Sequence, residues 1–390
     1  MNNLCIDVGY RCLNKHGEQL CGDSVQIVKN HDDSMILVLA DGLGSGVKAS
    51  ILSTLTSKII STMMANSMTL EDCVSTIAAT LPVCKKRGIA YSTFSIISVN
   101  NNGEAEIIQY DNPKVIFLRD GKNFEYDMQT HIIGDKKIYE SKITIKQDDV
   151  LIAMSDGAVY AGVGRKLNFG WKRENIINFI EENYDRKLTA RTITTLLLEK
   201  CAELYAYQPG DDTTIATVKI KNHKMCNLMI GPPADPDNVD RMMALFFAKE
   251  GYHVVCGGTT SNLAARYLNK EIKTSLDYVD PEIPPIATIE GVDLVTEGVI
   301  TISKVLQYAK SYLDDNSFNS EWIIKEDGAS QIARILFEEA TDISFFVGTA
   351  INPAHQNPDL PVHINIKINL VEELAKTLRD MGKTVELNFF

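Results

Sequence analysis

The chain has 390 residues, of which 45% are hydrophobic and 23% charged, and its formal net charge is -12. That length accommodates two hydrophobic cores, and the hydrophobic share is that of a globular chain rather than a disordered one. The acidic balance excludes the basic surface that non-specific nucleic-acid binding needs, but clustered carboxylates are compatible with a hard cation. The opening residues, MNNLCIDVGYRCLNKHGEQL, carry no basic leader followed by a long apolar run. No stretch of about 18 apolar residues follows anywhere, so neither a signal peptide nor a membrane span is expected. The 8 cysteines include no C-x-x-C and no histidine at zinc-like spacing. They read as reduced thiols in a cytoplasmic protein.

In chain order, SMILVLAD (34–41) is a short apolar run ending in an acid, the pattern of a buried strand. GVKASILSTLTSKIISTMMANS (46–67) predicts a helix, with Ile51, Leu55, Ile59 and Met63 as its apolar face. TLEDCVSTIAATLPVCK (69–85) predicts a second, with Thr69 as N-cap and Asp72 three positions on. Strands then dominate. YSTFSIISVNNNGEAEIIQYDN alternates across Asn-Asn-Gly, and PKVIFLRDGKNFEYD repeats the hairpin signal at Asp120-Gly121. KIYESKITIKQDDVLIAMSDGA holds two more strands. The helices KRENIINFIEENY and TARTITTLLLEKCAELY follow, and the strand DDTTIATVKIK closes the region. This order predicts an α+β sandwich of sheets with helices outside.

Beyond about residue 223 the rhythm changes. KMCNLMIG, YHVVCGG, VDLVTEG, ISFFVGTA and TVELNFF read as strands. Helical segments alternate with them: VDRMMALFFAKEG, TTSNLAARYL, VITISKVLQYAKSYL, GASQIARILFEEATD and VEELAKTLRDMGK. Such alternation is the mark of an α/β domain with a mainly parallel sheet. The boundary is expected within IKNHKMCN (220–227), giving domains 1–222 and 224–390.

Four acidic stretches of the first domain sit at or beside strand ends, next to turn residues. They are CGDSVQIV with Asp23, LADGLGSG with Asp41, AMSDGAVY with Asp156, and GDDTTIATV with Asp211 and Asp212. Any one of them alone reads as a turn-former. Brought together by neighbouring strands, their charges repel unless a cation or a proton intervenes. Oxygen-only ligands point to Mg²⁺ or Mn²⁺ rather than zinc. Gly42, lacking a Cβ, lets its backbone approach such an ion, and Gly44 and Gly46 let the chain turn into the helix.

The ordered set GDS, DGLGSGVKA, SDGA and GDDTTI resembles the metal-dependent protein phosphatases over residues 1–220. Its nearest branch is the bacterial one typified by the stage II sporulation protein E phosphatase domain. The resemblance implies a β-sandwich flanked by helix pairs and a centre of two ions, Mn²⁺ or Mg²⁺. It implies Asp41 as the bridging ligand, Gly42 as a carbonyl ligand, Asp156 and Asp211 on one ion and Asp23 on the other side. Asp212 falls where many relatives carry a non-ligand. HIIG (131–134) matches a short apolar-glycine motif of structural role. The arginine that eukaryotic relatives place before the first acid is missing from KHGEQLCGD, as in the bacterial branch. Phosphate capture would then fall to the metals, with Lys48 or Arg11 as side-chain candidates. A metal-activated water needs no protein nucleophile, so Ser24, Ser45 and Ser155 read as hydrogen-bonding or turn residues.

In the second domain, Gly257, Gly258, Thr259, Thr260 and Ser261 open a helix directly after a strand. They could bind a small anion or simply cap the helix. Glu297, Asp235, Asp237 and His355 lie at other strand ends or loops and read first as turn residues. The function expected is dephosphorylation of phosphoserine or phosphothreonine in a partner protein, with the second domain regulatory, ligand-binding or dimer-forming. The rivals are a catalytically silent sensor and a small-molecule phosphatase. Nucleic acid and membrane are not expected partners.

Overall fold

A computed structural model describes residues 4–29, 34–80, 92–133, 136–274, 283–313, 322, 325–350 and 366–390. The chain divides into two units, Met1–Asn222 and His223–Phe390. The first runs β1 (Leu4–Leu13), β2 (Asp23–Lys29), β3 (Met35–Gly42), α1 (Gly46–Ala65), α2 (Leu70–Thr80), β4 (Ser92–Val99), β5 (Glu104–Tyr110), β6 (Ile116–Arg119) and β7 (Lys122–Asn123). It continues through β8 (Gln129–Ile133), β9 (Lys136–Thr144), β10 (Val150–Met154), the single turn α3 (Asp156–Val159), α4 (Arg173–Asn183), α5 (Ala190–Leu204) and β11 (Thr213–Asn222).

Two antiparallel sheets result, ordered β1-β11-β10-β6-β7 and β2-β3-β4-β5-β9-β8. One core lies between them, where Leu37, Leu39 and Ile97 of one sheet meet Phe117, Leu151 and Val218 of the other. A second core packs α4 and α5 through Ile176, Ile180, Ile193 and Leu197 onto Ile152 and Ile215. A third packs Leu52 and Ile60 of α1 and Val74 and Ile77 of α2 onto Val38 and Ile96. The unit is therefore the expected α+β sandwich with helices on both outer faces. Covered on both sides, β3 and β10 read as continuous apolar runs rather than alternating ones.

Local chemistry sets the element ends. The Asp72 N–H donates to Thr69 Oγ1 at 3.1 Å and the Thr69 hydroxyl donates to the Asp72 carboxylate at 2.6 Å, the predicted cap of α2. The predicted tail of that helix, 81–85, lies outside the described residues. Asp120 and Gly121, with φ of 51° and 74°, make the tight β6–β7 hairpin that Asp-Gly foretells. Of HIIG, His131 to Ile133 lie on β8, an end strand of its sheet, and Gly134 lies outside the described residues.

One expectation is overturned. Ile51 and Leu55 do not face the core: they are 55% and 44% exposed, and with Val47 they form an apolar stripe on the outer side of α1. The buried face is Gly46, Ala49, Leu52, Ser53, Thr56, Ser57, Ile60 and Ser61. Small residues let the helix lie close to its sheet, and buried hydroxyls find partners, such as Thr56 Oγ1 donating to the Leu52 carbonyl at 2.8 Å. Ile59, also on the predicted face, does pack against the core, and Met63 is half-buried, so hydrophobic periodicity misled over the N-terminal half of α1 only.

The second unit comprises β12 (Met225–Ile230), α6 (Val239–Ala248), β13 (Tyr252–Cys256), α7 (Gly258–Leu268), β14 (Lys273–Thr274), β15 (Ala287–Ile289) and β16 (Val292–Thr296). It ends with α8 (Val299–Leu313), α9 (Gly328–Ala333), β17 (Asp342–Val347), α10 (Ile366–Asp380) and β18 (Thr384–Phe389). The sheet order is β14-β15-β16-β13-β12-β17-β18. The strands from β16 to β18 are parallel, and β14 and β15 add an antiparallel edge that alternation alone did not announce. Helices α8, α9 and α10 cover one face and α6 and α7 the other. No described helix is long and apolar enough to cross a membrane.

Candidate functional site

The rim of the first unit is assembled by strand register. Asp23 opens β2 and Asp41 lies near the end of β3, and the antiparallel pairing sets these two residues directly opposite each other. Like charges in that position repel. Asp23 is 8% exposed, and neither of its carboxylate oxygens closes a hydrogen bond. Burial pushes its carboxyl above the usual range, while the nearby Ser155 and Thr214 hydroxyls ease it back. Asp41 is displaced further upward, first by burial and then by the charges of Asp23, Asp156 and Asp211.

Gly42 is wedged against α1. A Cβ there would lie 2.2 Å from the Ala49 carbonyl oxygen, so no other residue fits without moving the helix. Its N–H donates to the Gly22 carbonyl at 3.2 Å, tying β3 to the residue before Asp23. The Ser92 hydroxyl donates to the Asp41 carbonyl at 2.8 Å and anchors the other side.

Asp156 and Asp211 arrive from the other sheet. The Ser155 N–H donates to the Thr214 carbonyl, and the Thr214 N–H donates to Ser155 Oγ, each at 2.9 Å. This reciprocal pair clamps the first turn of α3 to the start of β11. Gly157 makes the clamp tight, since a Cβ on it would sit 2.1 Å from the Asp212 carbonyl oxygen. Burial and the Asp211 charge raise the Asp156 carboxyl. Asp211 is the most open of the four, at 46% side-chain exposure, with Lys15 Nζ at 3.6 Å.

Asp212 is the more deeply buried of the two neighbouring acids. It is 4% exposed, its Oδ1 accepts the Lys15 N–H at 3.0 Å, and its Oδ2 is buried without a hydrogen-bond partner. Oδ2 lies where a Cβ on Gly22 would be 2.7 Å away, so Asp212 ties the loop before Asp23 to β11. Lys15 was not singled out from the sequence; its neighbours in KHGEQL gave no signal of a contact nearly two hundred positions away.

The serines have structural partners. Ser24 Oγ accepts from Ser57 at 3.0 Å, and Ser45 donates to Glu18 at 3.3 Å. Of the two candidate phosphate holders, Lys48 is exposed on the first turn of α1. Arg11 does not serve the rim: it is 5% exposed and donates to Thr195 of α5. Among the described residues, no group of three or more His, Cys, Asp or Glu side chains is arranged to hold a metal ion. The acids are thus neighbours through register and charge rather than a closed ligand shell.

In the second unit, Gly257 has φ 106° and precedes α7. The Thr260 hydroxyl accepts the Gly231 N–H at 3.0 Å, and the Ser261 hydroxyl donates to the Gly257 carbonyl at 2.9 Å. Both are committed within the fold. Gly258 and Thr259 are exposed, and a Cβ on Gly258 would meet nothing within 4 Å. Glu297 accepts the Ile300 N–H at 3.2 Å, and Asp235 accepts the Asp237 N–H at 3.0 Å. His355 lies outside the described residues.

Residues 31–221 match the family model described as Stage II sporulation protein E (SpoIIE). No curated protein matches the chain. Among solved structures, the Bacillus subtilis SpoIIE phosphatase domain in a form without domain swapping is 18% identical. That match covers 57% of this chain and 95% of that one, with a TM-score of 0.44. A second Bacillus subtilis structure, the SpoIIE PP2C phosphatase domain with a fragment of its regulatory domain, is 19% identical. It covers 57% of this chain and 64% of that one, with a TM-score of 0.49. RsbX in complex with magnesium is 18% identical, covering 55% of this chain and 96% of that one, with a TM-score of 0.39. Asp41, Asp156 and Asp211 fall inside the family match, Asp23 just before it, and the second unit beyond it. Over residues 31–221, just under half of its length, the chain is similar to the SpoIIE family.

Proposed function

We propose that the first unit is a Mn²⁺- or Mg²⁺-dependent phosphatase acting on phosphoserine or phosphothreonine of a partner protein in bacterial signalling. The observation that carries this reading is the Asp23–Asp41 pair, two carboxylates opposite each other with both Asp23 oxygens buried and unpartnered. Such a carboxylate is costly unless a cation or a proton satisfies it. The surrounding donors are oxygens, as Mg²⁺ and Mn²⁺ prefer. Asp23, Asp41, Asp156, Asp211 and the Gly42 carbonyl would hold two ions. When bound, such ions supply a water of lowered pKa and neutralise charge on the phosphoryl oxygens.

The chain's own residues then act by placement. Ser92 and the Gly22–Gly42 contact fix the backbone carrying Asp41 and Gly42. The Ser155–Thr214 clamp keeps Asp156 and Asp211 on one side. Lys15 offsets the Asp211 charge at the open edge, where an anionic substrate must approach. The committed serine hydroxyls leave nucleophilic attack to water. The test is hydrolysis of phosphopeptides against sugar and nucleotide phosphates, with Mn²⁺, Mg²⁺ or chelator. Phosphopeptide turnover that vanishes on chelation is expected. Full turnover in metal-free buffer rejects the metal reading, and preference for small phosphates favours a small-molecule phosphatase.

The second unit is read as a ligand-binding, regulatory module. Its parallel strands reverse order between β12 and β17, and ligands of such sheets lie beyond the strand carboxyl ends. The open Gly258–Thr259 turn is its candidate contact for a small anion. Nucleotides, sugar phosphates and carboxylates screened by thermal shift, with Gly258→Val as control, would test it. A ligand that stabilises wild type and Gly258→Val equally rules that turn out.

A further inference from the structure

Cys12 and Cys21 flank the loop that leads from β1 to the acidic rim. Cys12 lies directly opposite Thr214 in the β1–β11 register, and Cys21 Sγ is 3.8 Å from Thr214 Oγ1. The two side chains therefore converge on one threonine from the two ends of the segment 13–20. Cys12 is exposed and Cys21 half-buried, whereas Cys73, Cys201, Cys226 and Cys256 are buried. The phosphatase reading uses neither thiol.

We propose that Cys12 and Cys21 form a reversible dithiol–disulfide site, oxidised by a low-molecular-weight disulfide, whose closure loosens the hold of the rim on its metal. Exposed Cys12 is the entry point. Its thiolate attacks one sulfur of the oxidant, forming a mixed disulfide and releasing one small thiol, which takes up the proton Cys12 lost. Cys21 then gives up its proton and attacks the Cys12 sulfur, releasing the second small thiol. Two protein thiols are oxidised by two electrons, and the oxidant is reduced to two thiols. Disulfides of this exposed, exchangeable kind are the ones that serve regulation in a reducing compartment.

Closure reaches the rim through the chain itself. The sulfurs must approach to about 2.05 Å, which draws Cys21 onto Cys12 and so toward β1. Cys21 is bonded to Gly22, whose carbonyl holds Gly42, and Asp23 follows at once. The effect on metal binding rests on the phosphatase reading above, whereas the crosslink does not.

The full chain is treated with glutathione disulfide, its remaining thiols are alkylated, and its peptides are mapped. Cys12 and Cys21 should lose their thiols together as one crosslink that dithiothreitol reverses. Cys21→Ser should instead hold a glutathione mixed disulfide at Cys12. Accumulation of that mixed disulfide in wild type, with Cys21 still open to alkylation, overturns the site. The unfolding midpoint is then read with and without Mn²⁺ alone. The Mn²⁺-induced rise should fall at least twofold in oxidised wild type and persist in Cys12→Ser treated alike. An equal rise in both overturns the coupling. A chain that forms the crosslink on oxidation but whose reduced form shows no Mn²⁺ response rejects the metal reading and leaves the thiol site standing.

Discussion

At Asp23 and Asp41 the fold spends stability on a juxtaposition that packing alone would avoid. Asp41→Asn removes one of the two opposed carboxyls at nearly constant volume. Relief of the pair is worth up to ~1 kcal/mol, or about 2–4 °C in a unit of this size. The metal-free variant should therefore unfold slightly higher than wild type and lose both the Mn²⁺-induced rise in midpoint and the turnover. A midpoint lowered by several degrees would show that Asp41 is structural. Lys219 offers a second test. It is fully buried, and its Nζ donates to the Arg186 and Leu188 carbonyls, each at 2.7 Å. Burial pushes its amine down from 10.5 to about 8. Between those two values the unfolded chain holds the extra proton, so this site's contribution to stability rises as pH rises through that window. Below about pH 8 the lysine is charged in both states and the contribution is flat. The stability difference between wild type and Lys219→Met, measured by denaturant titration, should grow in favour of wild type from pH 8 to 10.5. A difference independent of pH would show that the amine titrates normally.

Among elements, α1 and α3 show how the site is held. Because Val47, Ile51 and Leu55 are exposed, Ile51→Lys should leave the unfolding midpoint within about 2 °C of wild type, the usual range for surface changes. Ile60 has no exposed surface and packs onto the sheet, so Ile60→Ala should cost about 2–5 kcal/mol. Equal losses would mean that the stripe is covered rather than open. In α3, Gly157→Ala forces a methyl to within 2.1 Å of the Asp212 carbonyl oxygen. Overpacking of that kind typically costs ~1–3 kcal/mol. It should also weaken Mn²⁺ binding, because Asp156 and Asp211 are carried by the two segments pushed apart. Calorimetric titration of the variant with Mn²⁺ unchanged from wild type would remove α3 from the site.

For the whole molecule, separate cores predict separate folding. The first unit buries three clusters of its own and the second buries clusters on both faces of its sheet. Residues 1–222 and 223–390, expressed apart, should each unfold cooperatively by circular dichroism. A fragment 1–222 that is insoluble except when co-expressed with 223–390 would show that the cores are not independent.

The sequence by itself determined much of the strand and helix order, though not β1, β14 or β15, and it showed the hairpins at Asn-Gly and Asp-Gly, the Thr69 cap and the change of rhythm near residue 223. These are local matters of periodicity, turn chemistry and chain direction. It also placed each of the four acids beside a turn, because an acid at a strand end leaves a short-range trace. What it left open needed the register of one strand on another. Only pairing sets Asp23 against Asp41, buries Asp212 beside Gly22, brings Lys15 to Asp211 and turns Arg11 toward α5. The buried side of α1 was likewise decided by the surface it meets. A close helix–sheet approach selects alanine, serine and threonine at the contact, so Ile51 and Leu55, the more hydrophobic residues, are left outside.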